Sequence, residues 1–429
     1  MARKLTAAVL ALVMVHTSAL ASVIGTEFIT NKSYNISDGT VLYENRIMSD
    51  QEGVGLQSEY YAEYTPNEDT LPVVVNGEKL YGKLNATQAA EYMKEQGLRP
   101  MLGINASFFS LETGVMMGHA ISDGKVIAKD MSELKAIGFR ADGSAIIAPL
   151  AITVNISAEE GAVDLENINK QHVKTLSGIS AYTSDFGTET ANDAEVIAVT
   201  LDLPEELRIG AEFEATVKSR TQQTEKLPIG ENEMILVINT DGGWDYHKGL
   251  IGTFEEGDKI KITCTAAGSD EWQNVTEALA SVGETLIENG EVMTEFKSGA
   301  APRTAVGITE EGKVIFYAID GRQKGHSYGL QLKSLAKRMA ELGCTDAINM
   351  DGGGSTSISG VYPGADEIAV LNKPSGGALR NVANFIFLKN TKEKTGILKS
   401  IYTTPHGEKY LTGSRVELSS VGVDTAYYK

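Results

Sequence analysis

The chain has 429 residues, of which 42% are hydrophobic and 22% charged, with a formal net charge of −19. That length allows two or three ordinary domains, or one large catalytic domain with an appendage, and the composition is that of a globular rather than a disordered protein. The acidic excess argues against a nucleic-acid partner, and it means that any anionic substrate needs a locally basic site.

The first residues have the form of a secretory signal. Arg3 and Lys4 give a charged start, Leu5 to Val15 a short apolar stretch, and Ala19-Leu20-Ala21 a small-x-small cleavage site. Residues 1–21 are therefore expected to be a signal peptide and the mature chain to be secreted or held at the cell surface. No other stretch is long and apolar enough to cross a bilayer as a helix. Cys264 and Cys344 permit one disulfide without requiring it, and we read both as buried thiols. They are too far apart in sequence to form the close pair of a structural zinc site.

Residues 22–59 read as a polar lead-in with short strands. The segment Asn85-Ala-Thr-Gln88 forms a capping box, opening a helix that runs through Ala89, Ala90 and Met93 to a stop at Gly97. A strand ending in a polar-aromatic turn follows, from Pro100 to Phe109. Between about 113 and 265 strands alternate with turns, the apolar runs 145–154, 194–201 and 233–239 being separated by Gly, Asp and Asn clusters. Residues 273–281 read as a short helix.

The segment 303–390 is the best organised. Two strands, Arg303 to Ile308 and Lys313 to Ile319, are joined by a Glu-Glu-Gly turn. A helix follows, with Leu332, Leu335, Ala336, Met339, Ala340 and Leu342 on one face and Lys333, Lys337 and Arg338 expected elsewhere; Gly343 ends it. A strand over 345–350 then delivers Asp351. This is a strand–helix–strand unit at about 313–351, with Asp320 after its first strand and Asp351 after its second. If those strands are parallel neighbours, both carboxylates lie at one edge of the sheet, where open α/β sheets hold ligands. The fold class expected is α+β, with strand-rich mixed sheets and a few helices.

Asp351 opens the run Asp-Gly-Gly-Gly-Ser-Thr. Glycines let the backbone approach a ligand closely, and successive amides in such a turn can cradle an anion. Beyond it, residues 391–429 read as a linker and either a simple tail or a truncated immunoglobulin-like module, too short for a complete sandwich.

Five signatures stand out in order: Asn105-Ala-Ser-Phe-Phe109, Pro302-Arg-Thr304, Asp320-Gly-Arg322, Asn349-Met-Asp-Gly-Gly-Gly-Ser-Thr356 and Arg380-Asn-Val-Ala-Asn384. Together they resemble the phosphodiester glycosidase family over residues 60–390. Two departures from the family pattern are mild: Ala106 and Ser107 stand where it has small glycine-like residues, and Met350 where it has leucine. The resemblance implies hydrolysis of the bond between a sugar anomeric carbon and a phosphodiester oxygen. The substrate would be an N-acetylglucosamine-like sugar on a phosphate, in cell-wall or extracellular polysaccharide metabolism, with cell-wall association. Two other readings stay open: a non-catalytic carbohydrate- or cell-wall-binding surface module, and a phosphodiesterase that breaks the P–O bond.

The chemistry assigns roles. A phosphodiester calls for fork-shaped cationic donors, for which Arg303, Arg322 and Arg380 are the candidates. An oxocarbenium-like transition state calls for a carboxylate: Asp351 is the candidate nucleophile or base and Asp320 the second carboxylate. Gly352, Gly353, Gly354, Ser355, Thr304, Asn105, Asn384 and His119 are the remaining substrate-binding candidates. Phe108 and Phe109 could face a sugar but fit the core better. His119 and His326 could serve as acid or base near neutral pH. The pattern requires no cofactor; Asp241, Asp320 and Asp351 could hold a divalent cation through oxygen.

Overall fold

The structure, a computed structural model, describes residues 22–25, 27–49, 55–267, 270–404 and 410–429. The signal peptide expected at 1–21 lies outside the described residues. Six strands carry the features on which the site depends: β1 (Leu56–Tyr64), β2 (Arg99–Asn105), β3 (Thr285–Glu288), β4 (Arg303–Thr309), β5 (Val314–Ile319) and β6 (Cys344–Met350). Three α-helices occur among the described residues: α1 (Ala86–Glu95), α2 (Asp245–Thr253) and α3 (Leu332–Glu341). Among the described residues, two eight-stranded sheets, two five-stranded sheets and one strand pair make this the expected α+β, strand-rich architecture.

The sheet beneath the site has the order 27–37, 40–48, β1, β5, β4, β6, β3, 291–292. β5 and β6 are parallel, as the strand–helix–strand reading requires, but they are not neighbours. β4 lies between them and pairs antiparallel with both, Arg303 opposite Ile319 and Thr304 opposite Met350. The carboxyl ends of β5 and β6 and the start of β4 therefore share one edge. Asp320 and Asp351 flank Arg303 there, two strand spacings apart, or roughly 10 Å.

β5, Val-Ile-Phe-Tyr-Ala-Ile, is buried along its whole length, which suits a near-continuous apolar run in a sheet covered on both faces. On one face, α3 packs Leu332, Leu335, Ala336 and Met339 against Ile315, Tyr317 and Ile319. The other face contributes Phe316 and Ala318 to the largest core, which includes α1 and the five-stranded sheet of β2. α1 has the expected capping box, with Asn85 accepting from the amides of Thr87 and Gln88.

Three expectations are corrected. Arg338 of α3 is not on an outer face. It is only 8% exposed, and its guanidinium grips the fully buried Glu59 of β1, Nε to Oε1 at 2.7 Å and Nη2 to Oε2 at 3.0 Å. Helical spacing alone cannot foresee a buried partner on another strand. Residues 273–281 form a 3-10 turn and then a strand, Val275–Ala280, paired on both sides, so sheet pairing overrides the local helical tendency. Conversely, α2 interrupts the expected run of strands between 113 and 265.

Strands 27–37 and 40–48 form a long hairpin that extends the β1 edge of the site's sheet. At the other end of the chain, 398–404 and 419–424 pair with each other. Arg99 anchors the end of the chain, donating to the carbonyls of Ala426 and Tyr427 and stacking on Tyr428. Cys264 and Cys344 are free, buried thiols.

Candidate active site

At the shared strand edge lies a cleft of about 410 Å³ whose lining includes Asp351, Gly352, Gly353, Arg303, Arg322 and Glu284. Asp351 enters it as the residue immediately after β6. Its amide donates to the carbonyl of Ala106, and its carbonyl accepts the Asn105 side-chain amide at 2.6 Å, so the β2 terminus fixes its backbone from both sides. Burial pushes the Asp351 carboxyl up to about 6, against opposing contributions from the Ser355 hydroxyl, the Arg380 charge and the Gly352 amide. A carboxyl with that value can hold or release a proton near neutral pH.

The glycine run explains how the arginines come close. Gly353 has φ +63°, a region disfavoured for residues with a Cβ. A Cβ on Gly354 would collide with the Arg380 guanidinium, which lies over that residue and donates to the Ser355 hydroxyl at 3.3 Å. Arg322 itself has φ +59°, unusual for arginine and a sign of backbone strain of the kind that collects at functional sites. Arg303 is held by two carbonyls, Leu330 and Gly299. Burial and the neighbouring Arg322 lower its affinity for its proton, while Glu284 opposes them. Among the described residues none of these three arginines forms a salt bridge. In a chain with so many acids, three guanidinium groups without a salt bridge around one turn form an arrangement that can hold an anion.

Other candidates fall behind the wall of the cleft. Asn105 is fully buried; its oxygen accepts from the Thr304 hydroxyl at 2.8 Å and from the Ser357 amide at 2.9 Å. Thr304 is equally buried. Asn384 accepts from the Ser107 amide at 2.9 Å and so shapes the turn that carries Phe108. The two phenylalanines separate: Phe109 is core, while Phe108 is 49% exposed and lines the cleft. Asp320 is 1% exposed and outside the cleft lining. Its oxygens take the His326 ring at 2.7 Å, the Asn372 amide at 3.0 Å and the Lys373 backbone amide at 3.0 and 3.1 Å. Burial raises its pKa.

His119 lines a different cavity of about 240 Å³, with Lys129, Asp130 and Glu166. One of its ring nitrogens meets the Ser132 carbonyl at 2.7 Å, and burial lowers its pKa. No group of three His, Cys, Asp or Glu side chains suited to a metal occurs among the described residues, so Asp241, Asp320 and Asp351 are not gathered into one site.

Sequence reasoning missed Glu284. It sits in Val-Gly-Glu-Thr, which carries no recognisable motif. Only the pairing of β3 with β6, Thr285 opposite Ile348, brings it beside Asp351.

The fold and cleft define a sheet-built α+β domain with a carboxylate and an arginine cluster at a strand edge. Residues 214–389 match the phosphodiester glycosidase family model. The match includes Glu284, Asp320, Asp351 and the three arginines, whereas Asn105 and His119 lie before it. Among solved structures, a hypothetical protein from Synechocystis shares the fold at 18% identity, with a TM-score of 0.67 over 84% of this chain and 64% of that one. A predicted exported protein from Burkholderia pseudomallei does so at 17% identity, with a TM-score of 0.62 over 78% of this chain and 74% of that one. The flagellar P-ring protein of Nitrobacter hamburgensis is 25% identical over 215 residues, 47% of this chain and 52% of that protein. The chain thus spans about half the length of that curated relative. No helix among the described residues is long and apolar enough to cross a membrane.

Proposed function

We propose that this protein is an exported hydrolase that cleaves the glycosidic bond of a sugar-1-phosphodiester, the sugar being of the N-acetylglucosamine type and the setting cell-wall or extracellular polysaccharide metabolism. The observation that carries the reading is the single cleft in which Asp351, its carboxyl raised to about 6, shares a wall with Arg303 and Arg322. The arginines and the backbone around Gly352 and Gly353 hold the phosphate. Phe108, exposed at the same cleft, offers an apolar face to the sugar.

An ionised Asp351 would repel that phosphate, whereas a protonated one can hydrogen-bond to it. The role assigned here is therefore proton donor to the departing phosphate oxygen, rather than the nucleophile or base that sequence suggests. The arginines take up the charge that develops on the leaving group. Asp320 acts at a distance, holding the His326 loop and the 372–373 segment in place. Export rests on the form of residues 1–21.

The test is to incubate the mature chain with an N-acetylglucosamine-1-phosphodiester and identify the products. Free sugar and a phosphomonoester support the proposal. Sugar-1-phosphate would instead mean P–O cleavage, and unchanged substrate with retained binding would mean a binding module.

A further inference from the structure

The cleft contains a second carboxylate. Glu284 immediately precedes β3, on the flank of β6 opposite to β4. Its carbonyl accepts the Asn349 amide at 3.0 Å, and its Oε2 accepts the Asn349 side-chain amide at 3.2 Å. That pairing fixes both its backbone and its side chain two residues before Asp351 in β6. Among the described residues Oε1 of Glu284 has no hydrogen-bond partner. The residue is part-exposed, lines the same cleft as Asp351, and interacts electrostatically with Arg303.

The two carboxylates have different surroundings. Asp351 sits with the glycine run and Arg380, on the side suited to phosphate. Glu284 lies on the other flank of β6, held by the neutral Asn349 amide, within electrostatic reach of Arg303 and with an oxygen to spare. Asp320 cannot take its place, because both Asp320 oxygens are occupied by the groups of two loops.

We propose that Glu284 is the second carboxylate of the reaction and accepts the proton of the water that attacks the anomeric carbon; this rests on the glycosidase reading above. The water oxygen bonds to the anomeric carbon while its proton passes to Glu284. The bond from that carbon to the phosphate oxygen breaks, its electron pair staying on the oxygen. Asp351 gives that oxygen its proton. The products are the free sugar and a phosphomonoester, and the two carboxyl groups return to their starting states by proton exchange with solvent.

The experiment compares the wild-type mature chain with Glu284→Gln and Glu284→Ala on a sugar-1-phosphodiester, with and without azide, an anion that attacks without a base. The Gln variant retains an oxygen for the Asn349 amide, so it keeps the test open if the Ala variant folds poorly. We expect kcat to fall about 100-fold or more in both, the usual scale of a lost acid–base group, with KM within threefold. Azide should restore turnover and give a glycosyl azide. A kcat within threefold of wild type in Glu284→Gln overturns the assignment. So does a loss carried by KM and not rescued by azide, which would make Glu284 only the electrostatic partner of Arg303. A wild-type chain that leaves the substrate uncleaved would instead sink the glycosidase reading itself.

Discussion

The side-chain amide of Asn105 donates to the main-chain carbonyl of Asp351 at 2.6 Å, across 246 residues of chain. The same side chain accepts from Thr304 and Ser357, so one fully buried residue joins the end of β2 to the starts of β4 and the strand after the glycine run. It is the joint that fixes the backbone from which Asp351 enters the cleft.

Asn105→Ala removes three buried hydrogen bonds and leaves their partners unsatisfied. A loss of about 3 kcal/mol is expected in denaturant unfolding, with a fall in kcat that exceeds any change in KM. Wild-type stability in this variant would contradict the joint.

Asp351→Asn separates stability from catalysis. The Asp351 carboxyl is near its ordinary value of about 3.9 when unfolded and raised to about 6 when folded, so the unfolded chain releases this proton first. Native stability is therefore undiminished below pH 4, declines as pH rises through the window from about 4 to 6, and stays reduced above it, by at most about 3 kcal/mol. The asparagine variant lacks that penalty. It should melt at or above the wild-type temperature at pH 7.5, with the difference shrinking toward pH 4, and yet lose at least about 100-fold in kcat. If Asp351 is the proton donor, wild-type kcat/KM falls tenfold per pH unit above about 6. A profile that rises through pH 6 would reassign it as base.

Gly354→Ala tests the close approach of Arg380. A methyl group there would displace the guanidinium from the turn. Weaker binding of the anionic substrate is expected, with KM about tenfold higher, while Gly376→Ala, where a Cβ meets nothing within 4 Å, should leave KM unchanged. Equal behaviour of the two variants would remove Arg380 from the anion site.

Arg338→Met leaves Glu59 buried without its bidentate partner. Chemical unfolding should show a loss of about 3–5 kcal/mol, the scale of a broken buried ion pair, and the double change with Glu59→Leu should recover much of it. Additive losses in the double variant would refute the coupling.

What the sequence determined by itself lies within a few residues of chain. The Asn85–Gln88 capping box, the α3 periodicity closed by Gly343, the β4–β5 turn and the strand that ends at Asp351 follow from backbone capping, helical spacing and turn chemistry, all of which act over about four residues. The arginines and the glycine run were likewise legible, because residue type and order carry them. Only the tertiary structure decided the rest, since strand pairing joins segments hundreds of residues apart with no local mark. Insertion of β4 between β5 and β6 put Arg303 between the two aspartates. Loop packing occupied the oxygens of Asp320, a buried glutamate drew Arg338 inward, and the pairing of β3 with β6 set an unmarked Glu284 beside Asp351.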